Sequence, residues 1–139
     1  MITAEKNIDI LIVEDNQDDV FLTKYSLKTL NITGKIFLAN YGQNAIEILN
    51  NLLEKNEKLP DLILLDMNLP KLTGLEVLQQ IKSNQSMYLI PTVIFTSSDS
   101  ISDMKNCYEH GADLYIKKPN NINEYKKIME YITRYCFSI

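Results

Sequence analysis

Polar side chains of three kinds follow short apolar runs of the sequence, each at the point where a run stops. Acids follow the first and third runs, hydroxyls the fourth and lysines the fifth, and the set comprises Glu14, Asp15, Asp66, Thr96, Ser97, Lys117 and Lys118. Clustered carboxylates repel one another unless a cation lies among them. Oxygen ligands without His or Cys favour a hard ion, and Mg²⁺ fits because it binds through one or two carboxylates and keeps several waters.

The lysine and hydroxyl members of this set indicate a second, anionic ligand beside the metal. A lysine can pair with such an anion, and a hydroxyl can donate a hydrogen bond to it. Mg²⁺, a lysine and a hydroxyl around one nucleophilic carboxylate are typical of phosphoryl transfer to aspartate. Catalysis of that reaction is mostly positioning and neutralisation of the phosphoryl oxygens.

Five short apolar runs alternate with stretches of helical periodicity along the chain. We predict strands at 8–13, 35–39, 61–66, 91–96 and 113–117, with a helix after each. Strands that are apolar on both faces and separated by helices are typical of a parallel sheet covered on both sides. The sequence therefore predicts a doubly wound α/β protein, in which the polar set lies at the carboxyl ends of the strands, the edge where such sheets bind ligands.

Length and composition restrict the possible classes of protein. The 139 residues are expected to form a single domain, 1–139, with a core from about 8 to 136. The 14 basic and 18 acidic residues give a net charge of −4, which disfavours direct binding of nucleic acid. Cys107 and Cys136 lack the spacing of a disulfide framework or zinc site. Without a secretory signal or an apolar run of ~20 residues, we expect a cytoplasmic protein that makes no membrane contact.

Four motifs together resemble the receiver domain of response regulators, of the CheY type. VEDN at 13–16 is similar to the family's acidic pair, LLDMNLP at 64–70 to its phosphoacceptor motif, FTSS at 95–98 to its hydroxyl motif and YIKKP at 115–119 to its lysine motif. All four occur in order, and the resemblance extends from about residue 8 to about residue 135. It implies a five-stranded parallel sheet of order 2-1-3-4-5 with helices on both faces.

The resemblance implies a role for each acid of the set. Asp66 would accept a phosphoryl group from a sensor histidine kinase in a two-component phosphorelay. Asp15 and Asp66 would ligate Mg²⁺ together with the backbone carbonyl of Asn68, and Glu14 would hold a metal-bound water. Glu14 departs from the family, in which Asp is commoner, and its longer side chain is expected to alter metal affinity without abolishing binding.

The resemblance also implies the switch residues. Lys118 is the phosphoryl-binding lysine because it directly precedes Pro119, whereas Lys117 is expected to be solvated. Thr96 would move to hydrogen-bond the phosphoryl oxygens, and Tyr115 would turn inward with it. The Lys118–Pro119 peptide is expected to be cis, as in the family. Such a module is not an enzyme acting on other substrates, since it catalyses only its own phosphorylation and dephosphorylation.

Resemblance over longer segments indicates one subgroup of the family. The segments 59–83, 90–98 and 107–119 are similar to stand-alone receivers paired with bacterial phytochromes and related sensor kinases. The implied partners are a phytochrome-type histidine kinase and a downstream protein target or phosphotransfer protein. Some of these regulators form homodimers through their C-terminal elements. Here Tyr131, Tyr135 and Phe137 either cover the core or form a dimer surface.

Two alternative functions differ from this one in the residues that they require. A Mg²⁺-dependent phosphatase of the haloacid dehalogenase type has a second Asp two residues after the nucleophile, where this chain has Asn68. A pseudo-receiver scaffold that is never phosphorylated is the remaining alternative. Such proteins usually lose the nucleophile, an acid or the lysine, and this chain keeps all of them.

Several polar residues have structural interpretations. Asp18 and Asp19 are expected to stabilise the amino terminus of the first helix through its dipole. Ser98 or Asp99 is expected to cap the fourth helix, and His110 to lie at its carboxyl end.

Overall fold

Strands and helices alternate through residues 4–138, the part of the chain that the computed structural model describes. The strands are β1 (Ile10–Val13), β2 (Ile36–Ala39), β3 (Leu62–Leu65), β4 (Thr92–Thr96) and β5 (Leu114–Lys117). The helices are α1 (Gln17–Thr29), α2 (Gly42–Glu54), α3 (Gly74–Lys82), α4 (Ile101–Glu109) and α5 (Ile122–Phe137). Each predicted element is present, and the strands are one or two residues shorter at their ends than predicted.

The five strands form one parallel sheet in the order β2-β1-β3-β4-β5, which confirms the predicted doubly wound α/β fold. Val13 pairs with Leu65 across β1 and β3, and Thr96 pairs with Lys117 across β4 and β5. The strands therefore end nearly level with one another. The residues that follow them leave the sheet at one common edge.

Side-chain alternation along the central strands divides the core into two layers. Ile10 and Ile12 of β1 pack in the layer under α1 and α5, whereas Leu11 and Val13 pack in the layer under α2, α3 and α4. All four are buried, so β1 is apolar on both faces, as expected for a central parallel strand.

Helix α5 buries one face and exposes the other. Tyr125, Met129 and Ile132 are buried against the sheet, whereas Tyr131 and Tyr135 are about half exposed and stack on each other. Phe137 packs partly buried against the same core layer. Within residues 4–138, no helix combines the length and the apolar character that crossing a bilayer requires.

The start of α4 differs from the prediction. Its N-cap is Ser100, whose Oγ accepts a hydrogen bond from the N–H of Asp103 at 3.2 Å, and not Ser98 or Asp99. Ser98 lies two residues before the cap, where its Oγ donates to the Asp103 carboxylate at 2.8 Å and accepts from the N–H of Ser100 at 3.3 Å. At the other end of α4, His110 is the C-cap residue, as predicted.

The loop between β3 and α3 passes close to Gly74, the first residue of α3. A Cβ at Gly74 would lie 2.2 Å from the carbonyl oxygen of Asp66, so only glycine fits there without moving the backbone. Thr73 caps α3 in a capping box with Glu76. The start of α3 thus fixes the backbone that follows β3.

The opposite edge of the sheet has its own charged group. The Asp9 carboxylate accepts hydrogen bonds from the Lys35 N–H at 2.8 Å and from the Lys58 ammonium at 3.0 Å. Lys58 also donates to Asp61, whose carboxylate accepts from the N–H of Asp9. Burial acts to raise the pKa of Asp9, but the Lys35 and Lys58 contacts outweigh it and hold the pKa below its ordinary value.

We predict that Gly74→Ala shifts the loop that contains Asp66. The added methyl group meets backbone, which does not yield at low cost, so unfolding free energy should fall by about 1–3 kcal/mol and divalent-metal affinity should fall with it. Thr73→Ala is the matched control, since it removes the cap at a cost of about 1 kcal/mol without adding an atom beside Asp66. Urea unfolding and calorimetric metal titration test both variants. Unchanged metal affinity in Gly74→Ala would contradict the prediction.

We predict that Asp9→Asn lowers stability in a pH-dependent way. The folded protein binds a proton at Asp9 more weakly than the unfolded chain does, because the folded-state pKa is depressed. The stabilisation is therefore present above the unfolded pKa of ~3.9 and is lost as pH falls through the folded pKa. Urea unfolding should give a deficit of about 1 kcal/mol for the variant at pH 6 that shrinks below about pH 4. A deficit that stays constant to pH 3 is the contrary result.

Candidate metal centre

Three carboxylates meet at the carboxyl ends of β1 and β3. Oxygens of Glu14, Asp15 and Asp66 all lie within 4.8 Å of one another. Glu14 and Asp66 are 4% and 5% exposed, whereas Asp15 is exposed. The sheet fixes this arrangement, because the N–H of Asp66 donates to the carbonyl of Val13 at 3.1 Å. Two neighbouring parallel strands thus bring predicted site residues from distant parts of the sequence together.

The Lys118 ammonium lies among the carboxylates. It donates to Glu14, to Asp19 Oδ2 at 2.9 Å and to Asp66 Oδ2 at 3.3 Å, and its side chain is 7% exposed. Its backbone N–H donates to the carbonyl of Thr96 at 2.7 Å, which fixes the chain directly after β5. Burial acts to lower the pKa of Lys118, but the hydrogen bonds to Glu14 and Asp19 and the charge of Asp66 raise it above its ordinary value. Lys118 is therefore the cationic partner of the buried acids.

Asp19 is a member of the cluster that sequence reasoning missed. The sequence predicts only a helix-dipole charge, yet the Oδ1 of Asp19 accepts a hydrogen bond from Tyr125 Oη at 2.9 Å while its Oδ2 contacts Lys118. Asp18 is exposed in the first turn of α1, in keeping with the helix-dipole interpretation. Local spacing gives no signal for this contact, because Asp15 precedes α1, which begins at Gln17. Asp19 links α1 and α5 to the site.

The carboxyl group of Glu14 has a perturbed pKa. Burial raises its pKa, the hydrogen bond from Lys118 lowers it and the charge of Asp66 raises it, with a result of about 7. Its other oxygen accepts from the N–H of Asn16 at 3.2 Å. A single lysine thus leaves the acids incompletely neutralised. The oxygen-rich donor set therefore fits a divalent cation of the Mg²⁺ or Mn²⁺ type.

Thr96 and Tyr115 meet at Ser98, in the loop between β4 and α4. Thr96 is fully buried at the end of β4, and its Oγ1 accepts a hydrogen bond from the N–H of Ser98 at 3.3 Å. Tyr115 has its ring turned inward, is 8% exposed and donates from Oη to the carbonyl of Ser98 at 3.1 Å. The two predicted switch residues are therefore connected through one loop residue.

The other predicted residues lie around this cluster. The N–H of Asn68 donates to Asp66 Oδ1 at 3.3 Å, and Ser97 is exposed beside Thr96. Lys117 is solvent-exposed, as predicted, and pairs with Asp99 at 3.2 Å.

The predicted cis peptide between Lys118 and Pro119 is wrong for this structure, in which the bond is trans. The trans isomer of an X–Pro bond is intrinsically favoured by about 0.5–1 kcal/mol. With the trans bond in place, the ammonium of Lys118 contacts Glu14, Asp19 and Asp66.

We predict that Lys118→Met destabilises the metal-free protein by about 3 kcal/mol, because removing one partner leaves buried carboxylates without a counter-charge. Added Mg²⁺ should restore part of the loss. Lys117→Met is the matched control, since that side chain is exposed, and its effect should stay within about 0.5 kcal/mol. Thermal and urea unfolding with EDTA or Mg²⁺ measure both. Equal effects of the two substitutions would show that Lys118 does not balance the cluster.

Comparison with known proteins gives matches over nearly the whole chain. A family model described as "Response regulator receiver domain" matches residues 10–130. The probable methanogenesis regulatory protein FilR2 of Methanothrix harundinacea is 34% identical over 135 residues, which cover 97% of this chain and 87% of FilR2. The response regulator Rcp1 of Synechocystis sp. is 37% identical over 124 residues, which cover 88% of this chain and 84% of Rcp1.

Two solved structures have the same fold at similar identity. The Mn²⁺-bound form of Rcp1 superposes with a TM-score of 0.83 at 34% identity, covering 95% of this chain and 96% of that one. The phosphorylated cyanobacterial phytochrome response regulator RcpA superposes with a TM-score of 0.86 at 32% identity, covering 96% of each chain.

Proposed function

Because the chain belongs to the response regulator receiver family, we propose that Asp66 accepts a phosphoryl group from a sensor histidine kinase in a Mg²⁺-dependent reaction. The observation that supports this most strongly is the convergence of Asp66 with two other acids and the Lys118 ammonium at one sheet edge. The set combines a carboxylate nucleophile, oxygen ligands for a metal and a cation for the transferred group.

In the proposed reaction, an oxygen of Asp66 forms a bond to the phosphorus. The bond from phosphorus to the donor's histidine nitrogen breaks, and that nitrogen keeps the electron pair and takes up a proton. Lys118 already contacts Asp66 Oδ2 at 3.3 Å, so its ammonium lies within reach of a phosphoryl group bound there. The N–H of Asn68 donates to the other oxygen and orients the carboxylate. This catalysis is positioning and charge neutralisation.

We assign the proposed metal ligands from the same cluster. Asp15, Asp66 and the backbone carbonyl of Asn68 would hold Mg²⁺, and Glu14 would hold one of its waters. The bound ion would neutralise the phosphoryl oxygens during transfer. The solved structure of Rcp1 is an Mn²⁺-bound form, and Mn²⁺ is an oxygen-preferring ion of the same class, which supports a divalent metal for this chain.

Phosphorylation would alter the charge balance that holds Lys118. The modification adds about −1.5 to −2 charge at Asp66, which competes with Glu14 and Asp19 for the ammonium. Thr96 would turn its hydroxyl toward the phosphoryl oxygens, and Tyr115 would adjust with it. The resulting shift of α4 and β5 would be a change in the populations of two existing states.

The proposed partners follow from the family and the relatives. A phytochrome-type sensor kinase is supported by the likeness to RcpA, a phytochrome response regulator. The output would be contact with a downstream protein or relay to a phosphotransfer protein, and the module would turn over only its own phosphoryl group. A cytoplasmic location stays a prediction. A homodimer stays a prediction, for which the half-exposed, stacked Tyr131 and Tyr135 offer an aromatic surface.

We predict that Mg²⁺ and acetyl phosphate add one phosphoryl mass to the wild-type protein and none to Asp66→Asn, measured by intact-protein mass spectrometry. EDTA should abolish the adduct, because the metal neutralises the transferring group. Asp18→Asn is the matched control, since it removes an exposed acid that lies outside the cluster. An adduct that survives in Asp66→Asn would place the modification elsewhere. Complete absence of an adduct in the wild type would favour the pseudo-receiver scaffold.

A further inference from the structure

Three hydrogen bonds form a closed circuit that begins and ends on α4. The N–H of Tyr115 donates to Tyr108 Oη at 2.9 Å, and Tyr115 Oη donates to the Ser98 carbonyl at 3.1 Å. Ser98 Oγ then donates to Asp103 Oδ2 at 2.8 Å. Tyr108 and Asp103 both belong to α4. Tyr115 belongs to β5, and Ser98 lies in the loop between β4 and α4. We call these four residues the α4 circuit.

The Tyr108 contact lies at the open edge of the sheet. β5 is an edge strand, so every second N–H along it faces away from β4 and lacks a ladder partner. Here the N–H of Tyr115 has the side-chain hydroxyl of Tyr108 as its acceptor. Tyr108 is 45% exposed, so its ring covers the edge from the surface and is not part of the core. Its hydroxyl therefore has a definite partner, and that partner is the backbone of the proposed switch residue.

The Asp103 contact lies at the beginning of α4. The N–H of Asp103 is capped by Ser100 Oγ, and its carboxylate accepts the hydroxyl of Ser98. The N–H of Ser100 in turn donates to Ser98 Oγ at 3.3 Å. The first turn of α4 is thus bound to the same residue whose N–H donates to Thr96 Oγ1. A movement of Thr96 would withdraw an acceptor from Ser98 and disturb this group directly.

We propose that Asp103 and Tyr108 are positioning residues that make α4 move together with Tyr115. Their separation of five positions corresponds to about 7.5 Å along the helix axis, so α4 is held at two separated points. Asp103 is bound to Ser98 in the loop between β4 and α4, and Tyr108 is bound to Tyr115 of β5. This inference rests on the proposed function, because it describes how phosphorylation at Asp66 would be transmitted to α4.

Conservative substitutions distinguish an effect of these hydrogen bonds from an effect of side-chain packing. Tyr108→Phe removes the acceptor for the Tyr115 N–H and leaves the ring in place. Its control is Tyr131→Phe, which removes the hydroxyl of another half-exposed tyrosine, on α5. Asp103→Ala removes the acceptor for Ser98, whereas Asp103→Asn keeps an acceptor oxygen and loses the same charge near the helix terminus. Both Asp103 variants retain the backbone N–H that Ser100 caps.

The first measurement is made on the resting protein. Amide hydrogen exchange followed by NMR should be about 5- to 10-fold faster at Tyr115 in Tyr108→Phe than in wild type, the loss expected from one hydrogen bond. It should be unchanged in Tyr131→Phe. Equal exchange at Tyr115 in wild type and Tyr108→Phe would overturn the inference.

The second measurement follows the response to phosphorylation. Proteins labelled with 3-fluorotyrosine are phosphorylated with acetyl phosphate and Mg²⁺, and the ¹⁹F signal of Tyr115 is compared with amide shifts along α4. In wild type and Asp103→Asn the two should change together as the phosphorylated fraction rises. In Asp103→Ala and Tyr108→Phe the α4 shifts should be at least about 3-fold smaller, although mass spectrometry finds Asp66 phosphorylated, because neither residue contacts Asp66.

The outcomes distinguish the two proposals. If Asp103→Ala and Tyr108→Phe are fully phosphorylated and their α4 shifts are as large as those of the wild type, the circuit is overturned and the proposed function stands. Loss of the response in Asp103→Asn as well as Asp103→Ala would also overturn it, because charge would then matter in place of the hydrogen bond. Absence of an adduct in the wild type would overturn the proposed function and the circuit with it.

Discussion

Burial of acids at one edge of the sheet is the constraint on which the rest of the structure depends. Glu14 and Asp66 are almost fully buried, and carboxylates that are buried close together require a cation. Lys118 provides it, although β4 separates its strand from β3, because a lysine side chain is long enough to cross that strand. A lysine is one positive charge against several negative ones, so the cluster has capacity for a metal and responds when negative charge is added or removed.

The polar contacts extend from this cluster into both helical layers. Asp19 and Tyr125 join α1 and α5 to Lys118 on one side of the sheet. On the other side, Ser98 connects Thr96 with Tyr115 and with the start of α4. Short hydrogen-bonded connections therefore link Asp66 to α1 and α5 on one side of the sheet and to α4 on the other, whereas the apolar layers beneath stay packed. The charged group around Asp9 lies at the opposite edge, outside these connections.

The doubly wound parallel sheet and the composition of the site could be predicted because they depend on patterns that persist along the sequence, whereas the order of the strands came from the resemblance to receiver domains. Runs such as IDILIV identify buried parallel strands, and the carboxyl ends of such strands share one edge. Side-chain partners were harder to predict. Asp19 joins the cluster because of the angle at which α1 docks, and Tyr108 contacts β5 because of the position of α4, neither of which local spacing specifies. The sequence predicts Ser98 or Asp99 as the cap of α4, whereas the helix begins one residue later and Ser100 caps it.

The central claim is that the Lys118 ammonium contacts several buried carboxylates and exchanges part of these contacts for a contact with the phosphoryl group when Asp66 is modified. A crystal structure of the complex with Mg²⁺ and beryllofluoride, which mimics the phosphoryl group, tests this most directly. The account predicts beryllium bonded to an Asp66 oxygen, Lys118 Nζ within about 3.2 Å of a fluorine, and at least one of its contacts to Glu14 and Asp19 broken. An adduct on Asp66 with all of the carboxylate contacts of Lys118 retained would contradict it.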